Sequence, residues 1–375
     1  MMSRDMPSID RRTWLIFGGY AVAFAFVAIT NVLGLPPLVR FVFAVIALAG
    51  GAVAVGEATE RLAERLSPAA TGVVQSVLGN LPELFLAIFA LQAGLLEVVA
   101  AALVGSVLGN ALFVLGLALV AGGLRHGRLT FSAANNRLYA TLLLLGAAAM
   151  TIPFLATQPG APDFGHDREL SAIVAIVLLI VFAFSVPIAL RLKEAGPGAT
   201  PDVLSHDDAD EEGVKHVPRP LDTTLLLLGG SAASAAFVAD WFVEALDPAM
   251  GAIGMSEAFA GLIVVAVAGN AVEHLVGVTA AWKGKGDLAM SLILNSALQV
   301  VLFLAPVIVL LSFFVAPIPL TLIFSPLLLG TLVVTVILVY AIVVDGEANA
   351  LEGAMLLGLY AIIAAAVWWG PPISH

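Results

Sequence analysis

Eleven stretches of this 375-residue chain are apolar over membrane-spanning lengths: 14–33, 38–57, 73–93, 98–122, 138–155, 170–190, 223–239, 258–281, 288–316, 320–344 and 351–369. A helix needs about 20 such residues to cross a bilayer. Inside lipid, every backbone N–H and C=O must find its partner within the segment, so runs of this kind fold as helices. Only 11% of the residues are charged, against about a quarter in a soluble domain. The fold class is therefore an all-α polytopic membrane protein with about eleven transmembrane helices. The ninth and tenth stretches exceed one crossing, and tilt or a kink near Pro306 absorbs the excess. An excess of 11 negative charges argues against a nucleic-acid partner. The absence of cysteine excludes disulfides, thiol catalysis and zinc–thiolate sites.

Lysine and arginine set the orientation, because cytoplasmic loops carry them in excess. With the N-terminus in the cytoplasm, 14 of the 16 fall inside, including Arg11, Arg12, Arg61, Arg65, Arg125, Arg128, Arg137, Lys283 and Lys285; only Arg40 and Arg168 fall outside. The C-terminal residues 371–375 then lie outside. Arg11 and Arg12 before the first stretch also suit a signal peptide, but that run is too long and no small-residue cleavage site follows, so a retained helix is expected. Residues 193–220 are polar and contain Asp207, Asp208, Asp210, Glu211 and Glu212. They read as a solvated acidic hinge between two halves.

A shift of 190 residues superimposes Gly79-Asn80-Leu81-Pro82-Glu83 on Gly269-Asn270-Ala271-Val272-Glu273. Without a gap, Gly105-Ser106 then falls on Asn295-Ser296, Leu108 on Leu298 and Phe113 on Phe303. The repeat unit is five spans, an odd number, so the two halves enter the membrane with opposite orientation. The expected organisation is an N-terminal segment and first helix (1–37), a five-helix repeat (38–192), the linker (193–220) and an inverted five-helix repeat (221–375). Secondary transporters built this way bind their substrate at mid-membrane between the repeats. An intramembrane carboxyl costs about 2.5–3.5 kcal/mol on insertion scales and marks function by default. Glu83 and Glu273, in matching places, point to one shared cation site.

The sequences GNLPELFLAIFALQAGLLEVVAAALVGSVLGNALFVLG and GNAVEHLVGVTAAWKGKGDLAMSLILNSALQVVLFLAP, together with GEATERLAERL at 56–66 and the acidic linker, resemble the paired α-repeats of the calcium/cation antiporter superfamily, in its cation/proton (CAX-type) branch. That resemblance implies one helix plus five plus five, and exchange of Ca2+ for H+ in a prokaryotic plasma membrane. Pro82 stands where a small residue is usual, and Asn295 replaces the glycine expected before Ser296.

Calcium takes six to eight oxygen ligands in flexible geometry. Glu83 and Glu273 supply charge for Ca2+ or accept H+. Helix breaks at Gly79 and Gly269 would free the carbonyls of Leu78, Gly79, Ala268 and Gly269. Asn80 and Asn270 fit N-caps of the half-helices that follow, in the Asn-x-x-Glu spacing of a capping box. Ser106 and Asn110 share one helix face, as do Asn295 and Gln299. With Ser296, these five either line the cavity or glue helices together. His274 reads as a packing histidine more than a proton relay. Glu57 and Glu60 at one end, and Asp240 and Glu244 at the other, are candidate cation vestibules or ordinary interfacial acids. Alternatives to Ca2+/H+ exchange are coupling to Na+, another hard divalent cation, or a passive cation channel. An enzyme is not expected: Glu273-His274 lacks the spacing of zinc hydrolases, and Lys283 and Lys285 sit in a loop rather than mid-helix, where a retinal pump would need them.

Overall fold

A computed structural model describes residues 11–66, 68–162, 164–194 and 221–369, with side chains at 68, 69, 72, 73, 186–194 and 272 left undescribed. Most of the acidic linker and residues 371–375 therefore lie outside the described residues. The helices are α1 (Arg11–Val32), α2 (Pro37–Ala63), α3 (Pro68–Leu78), α4 (Leu81–Gln92), α5 (Leu96–His126), α6 (Ala133–Ala156), α7 (Asp167–Glu194), α8 (Leu221–Ile253), α9 (Glu257–Gly269), α10 (Ala271–Trp282), α11 (Gly286–Val315), α12 (Pro326–Val343) and α13 (Ala350–Trp368). Two short strands, β1 (Arg128–Thr130) and β2 (Glu347–Asn349), pair antiparallel with Leu129 opposite Ala348.

Every expected apolar stretch coincides with helix, but not always as one rod. Among the described residues, nine helices are long and apolar enough to cross a membrane, or ten if the bent pair α9 and α10 is one span. The third stretch is split at Gly79-Asn80 into α3 and α4, each too short to cross alone. The seventh is longer than expected: α8 runs on past residue 239 because Asp240, Glu244 and Asp247 lie along its exposed face, so the chain turns polar without leaving the helix. The tenth starts later than expected, at Pro326. Pro317 and Pro319 cannot continue a helix, and Ser325 caps the new one by accepting from Leu328 N–H at 3.4 Å.

Packing between the halves recurs in matched pairs. Helix α4 lies against α8 and the second half of α11, while α10, one repeat later, lies against α2 and the second half of α5. Likewise α13 packs along α5, and α7 along α11. Glycines bring α5 and α13 together: a methyl on Gly116 would come within 2.9 Å of the Gly353 carbonyl. Helix α1 sits outside this pattern against α2, with Tyr20 seated on Gly50 and Gly51. Among the described residues, polar links at the periphery join segments that the alternation of spans places on the same side. Arg128 pairs with Glu347, and Ser132 N–H donates to Asp287 at 2.5 Å on one side. Arg40 pairs with Glu244 at 3.2 Å, and Leu322 N–H donates to Ser171 Oγ at 3.0 Å on the other.

Candidate functional site

Both Gly-Asn phrases break a helix, and the break is the same in each half. Asn80 adopts φ −92°, ψ 13° and Asn270 φ −97°, ψ 23°, the sparsely populated bridge region between helix and strand, where active-site residues often sit. Hydrogen bonding resumes at the asparagine carbonyl, from Leu84 N–H in one repeat and His274 N–H in the other. Helices α9 and α10 meet at a bend of 65°.

The expected capping box does not form at either place. Each asparagine occupies the N-cap position, yet its side chain makes no cap. Its amide instead donates backwards, Asn80 Nδ2 to Ser76 O at 2.7 Å and Asn270 Nδ2 to Ala266 O at 3.0 Å. The reason is the helix that ends just before: its last carbonyls need partners too. A third Asn-x-x-Glu in the chain shows the alternative. Asn349, with φ −123° and ψ 172°, caps α13, and Glu352 closes the box by accepting from Asn349 N–H at 2.8 Å. There a strand, not a helix, precedes the asparagine. Without the box, Glu83 and Glu273 are free for other work.

The two phrases meet. Glu83 lies across Gly269: a methyl there would be 2.9 Å from both Glu83 Cγ and Oε1. This contact brings the Glu83 carboxyl against the segment that carries Glu273. Glu83 is buried, with Oε2 unpaired among the described residues, whereas Glu273 is partly exposed. Around them, Asn270 Nδ2 reaches Ser106 Oγ at 3.2 Å; Asn110 Nδ2 faces Ser296 Oγ at 3.1 Å and Asn270 Oδ1 at 3.4 Å; and Asn80 Nδ2 faces Gln299 Oε1 at 3.4 Å. The set therefore gathers Asn80, Glu83, Ser106, Asn110, Gly269, Asn270, Ser296 and Gln299. Asn295 is half-buried on α11 outside this linked set. Asn110 is fully buried and its Oδ1 has no partner, so one neutral acceptor is held ready. Leu78 and Gly79 end α3 half-buried, while Ala268 and Gly269 end α9 buried. No cluster of three or more His, Asp or Glu fit to hold a metal occurs among the described residues. A cation here would be met by two carboxylates and neutral oxygens.

Three π-helical turns went unread in the sequence: Gly109–Val114, Val300–Leu304 and Ala260–Val265. Such turns frequently sit at functional sites. The first contains Asn110 of α5 and the second follows Gln299 of α11; the third lies in α9, and the matching part of α3 is ordinary α-helix. At that third turn α9 is pressed onto α5, with no room for a side chain at Gly261, which faces Val98 O, or at Gly105, which faces Leu262. Helix α3 packs on α2 and α7, and among the described residues makes no comparable contact with α11. A small cavity with room for about one water lies behind Glu83, lined by Leu86, Ala87, Val99, Ser106 and Val265.

The vestibule acids are mostly engaged. Glu57 accepts from Arg61 at 2.7 Å and pairs with Arg12 at 3.3 Å, while Arg61 also donates to Thr13, so this cluster ties α1 to α2. Glu244 pairs with Arg40. Neither presents an unmatched charge. Glu60 is half-buried and Asp240 exposed. His274 packs edge-on to Phe113 at 6.1 Å, but its buried Nε2 has no hydrogen-bond partner among the described residues, so it is not the fully satisfied packing histidine expected.

The profile of the sodium/calcium exchanger protein family matches residues 36–191 and again 223–369. The chain is 35% identical to a Ca2+/H+ antiporter of Synechocystis sp. over 344 residues, 89% of this chain and 91% of the relative. It is 31% identical to the Ca2+/H+ antiporter ChaA of Bacillus subtilis, covering 88% and 92%. The structure of native YfkE superposes with a TM-score of 0.78 at 29% identity, covering 94% of this chain and 99% of that one. The H+/Ca2+ exchanger CAX shares the fold at 15% identity, with a TM-score of 0.71 over 95% and 92%.

Proposed function

The chain belongs to the sodium/calcium exchanger protein family, and we propose that it exchanges Ca2+ for H+ across a membrane by alternating access, with Glu83 and Glu273 as the shared site. The observation that carries this reading is the contact of Glu83 with Gly269, which joins the signature phrases of the two halves. The double family match supports two repeats bounded near 38–192 and 221–375.

Two neighbouring carboxylates in a low-dielectric cavity cannot both stay charged without compensation. One divalent cation compensates both, and so do protons. The two solutions exclude each other, so Ca2+ binding expels H+ and H+ binding expels Ca2+. Side-chain oxygens of Asn80, Ser106, Asn110, Asn270, Ser296 and Gln299, and the carbonyls at the two breaks, complete the calcium shell; Asn295 stands at its approach. With the N-terminus in the cytoplasm, the shut α9–α5 seam lies outward and the α3 side faces inward. We read this state as open to the cytoplasm, which the partial exposure of Glu273, Asn295, Ser296 and Gln299 supports. Of the outer acids, Asp240 remains the candidate for cation capture. The membrane is taken to be the plasma membrane of a prokaryote, with the C-terminus outside.

Calcium uptake into proteoliposomes under an imposed pH gradient tests the proposal, with Na+ and K+ gradients as controls. Uptake driven by the pH gradient alone, and lost in Glu83→Gln and in Glu273→Gln, is expected. Full activity in either variant refutes the shared site, and calcium flux without proton movement makes the protein a channel.

A further inference from the structure

We propose that Gly269 is a positioning residue for the carboxyl of the opposite repeat, its bare Cα forming the seat on which Glu83 lies. The proposal rests on the shared-site reading and deepens it. Glycine is commonly required where the backbone takes a positive φ, but Gly269 is not among the positive-φ glycines of the chain. An alanine meets no backbone strain there. What it meets is Glu83, whose Cγ, Oε1 and Cδ would stand 2.9, 2.9 and 3.1 Å from the new methyl. Because Cγ is involved as well as the carboxyl tip, rotation of the end group alone does not clear the clash.

The space next to the carboxyl on its inner side is unfavourable for it. Glu83 is 9% exposed. The space beside it is the one-water cavity walled by Leu86, Ala87, Val99 and Val265, with Ser106 the single hydroxyl. A carboxylate pushed there exchanges its place against Gly269 for an apolar wall, where its charge is unfavourable. The methyl would therefore act on calcium binding by moving a ligand, not by unravelling a helix.

The matching glycine behaves differently. A methyl on Gly79 would meet the carbonyl of Gln75, in its own chain segment, at 2.5 Å, with no carboxyl among its near neighbours. Two glycines identical by repeat spacing thus do different jobs in this state: Gly79 serves its own break, and Gly269 serves the carboxyl of the other half.

Shortening the glutamate by one methylene should restore room for the methyl. Calcium-dependent transport is measured in proteoliposomes for Gly269→Ala, Glu83→Asp and the double variant, with Gly79→Ala, Glu273→Asp and their double as the matched set. Gly269→Ala is expected to raise the half-saturating calcium concentration by about tenfold or more, since roughly 1 Å of misplacement is costly in a preorganised site. The Glu83→Asp/Gly269→Ala double is expected to bind calcium better than either single, and the matched set to show no such rescue. A double no better than Gly269→Ala, or a Gly269→Ala protein with unchanged calcium dependence, overturns the seat. Should Gly269→Ala not be recovered folded, recovery of folded protein on adding Glu83→Asp supports the seat and failure to recover it overturns it. Glu83→Gln in the same assay separates the two levels: full transport removes the shared site itself, while loss of transport without rescue removes only the seat.

Discussion

Helix α9 is pressed shut against α5, whereas α3, one repeat earlier, makes no comparable contact with α11 among the described residues. The 190-residue shift makes these the same place in two halves, and the residues differ in kind. The shut seam is built of Gly105, Gly261, Leu262 and Val265; the corresponding positions at the open side are Asn295, Thr71, Gly72 and Gln75. The π-turn Ala260–Val265 coincides with the closure, and regular α-helix with the opening. Two halves related by sequence thus hold different shapes at one moment. On the proposed reading, in which the two halves are inverted repeats, a second state with the shapes exchanged is what alternating access requires.

The comparison can be broken first at the seam. Gly261→Leu forces a side chain into the Val98 carbonyl, and overpacking of about 1–3 kcal/mol corresponds to a bias of roughly tenfold or more against the shut seam. The chain contains no cysteine, so a single Leu103→Cys, buried and lining the small cavity, reports directly. It should resist a water-soluble thiol reagent in the parent and react in the Gly261→Leu background. Reaction in the parent would mean that the seam is not shut. Transport should fall by about the same factor.

A smaller effect sharpens the asymmetry of the two asparagines. Asn270 is 2% exposed and bonded across to Ser106 and Asn110. Among the described residues, Asn80 reaches across only to Gln299, at 3.4 Å. Orphaning buried partners costs about 1–3 kcal/mol, so Asn270→Ala should sit in that range and Asn80→Ala near 1 kcal/mol or below. Thermal unfolding in detergent, with and without calcium, measures both. Equal losses would show that the two breaks are equivalent after all.

Much of the scaffold was legible because hydropathy and spacing are local signals. The Gly-Asn breaks and the matched placement of Glu83 and Glu273 follow from residues near one another in sequence or from the repeat. The asparagine side chains were misread because a break has two ends that compete for one amide. At Asn349 only one end exists, and the box forms as its spacing suggests. The extension of α8 was missed because average hydropathy is blind to which face carries Asp240, Glu244 and Asp247. Ser325-Pro326 did signal the true start of α12. The π-turns and the Glu83–Gly269 contact had no local signal, since both arise where distant helices press together.

The central claim is that calcium and protons compete for one pair of carboxyls. Its most direct test is proton release on adding calcium to the purified protein in weakly buffered detergent. The account predicts release from the parent protein, and its loss in Glu83→Gln and Glu273→Gln. Calcium binding by the parent with no proton release, or release undiminished in both variants, would contradict it.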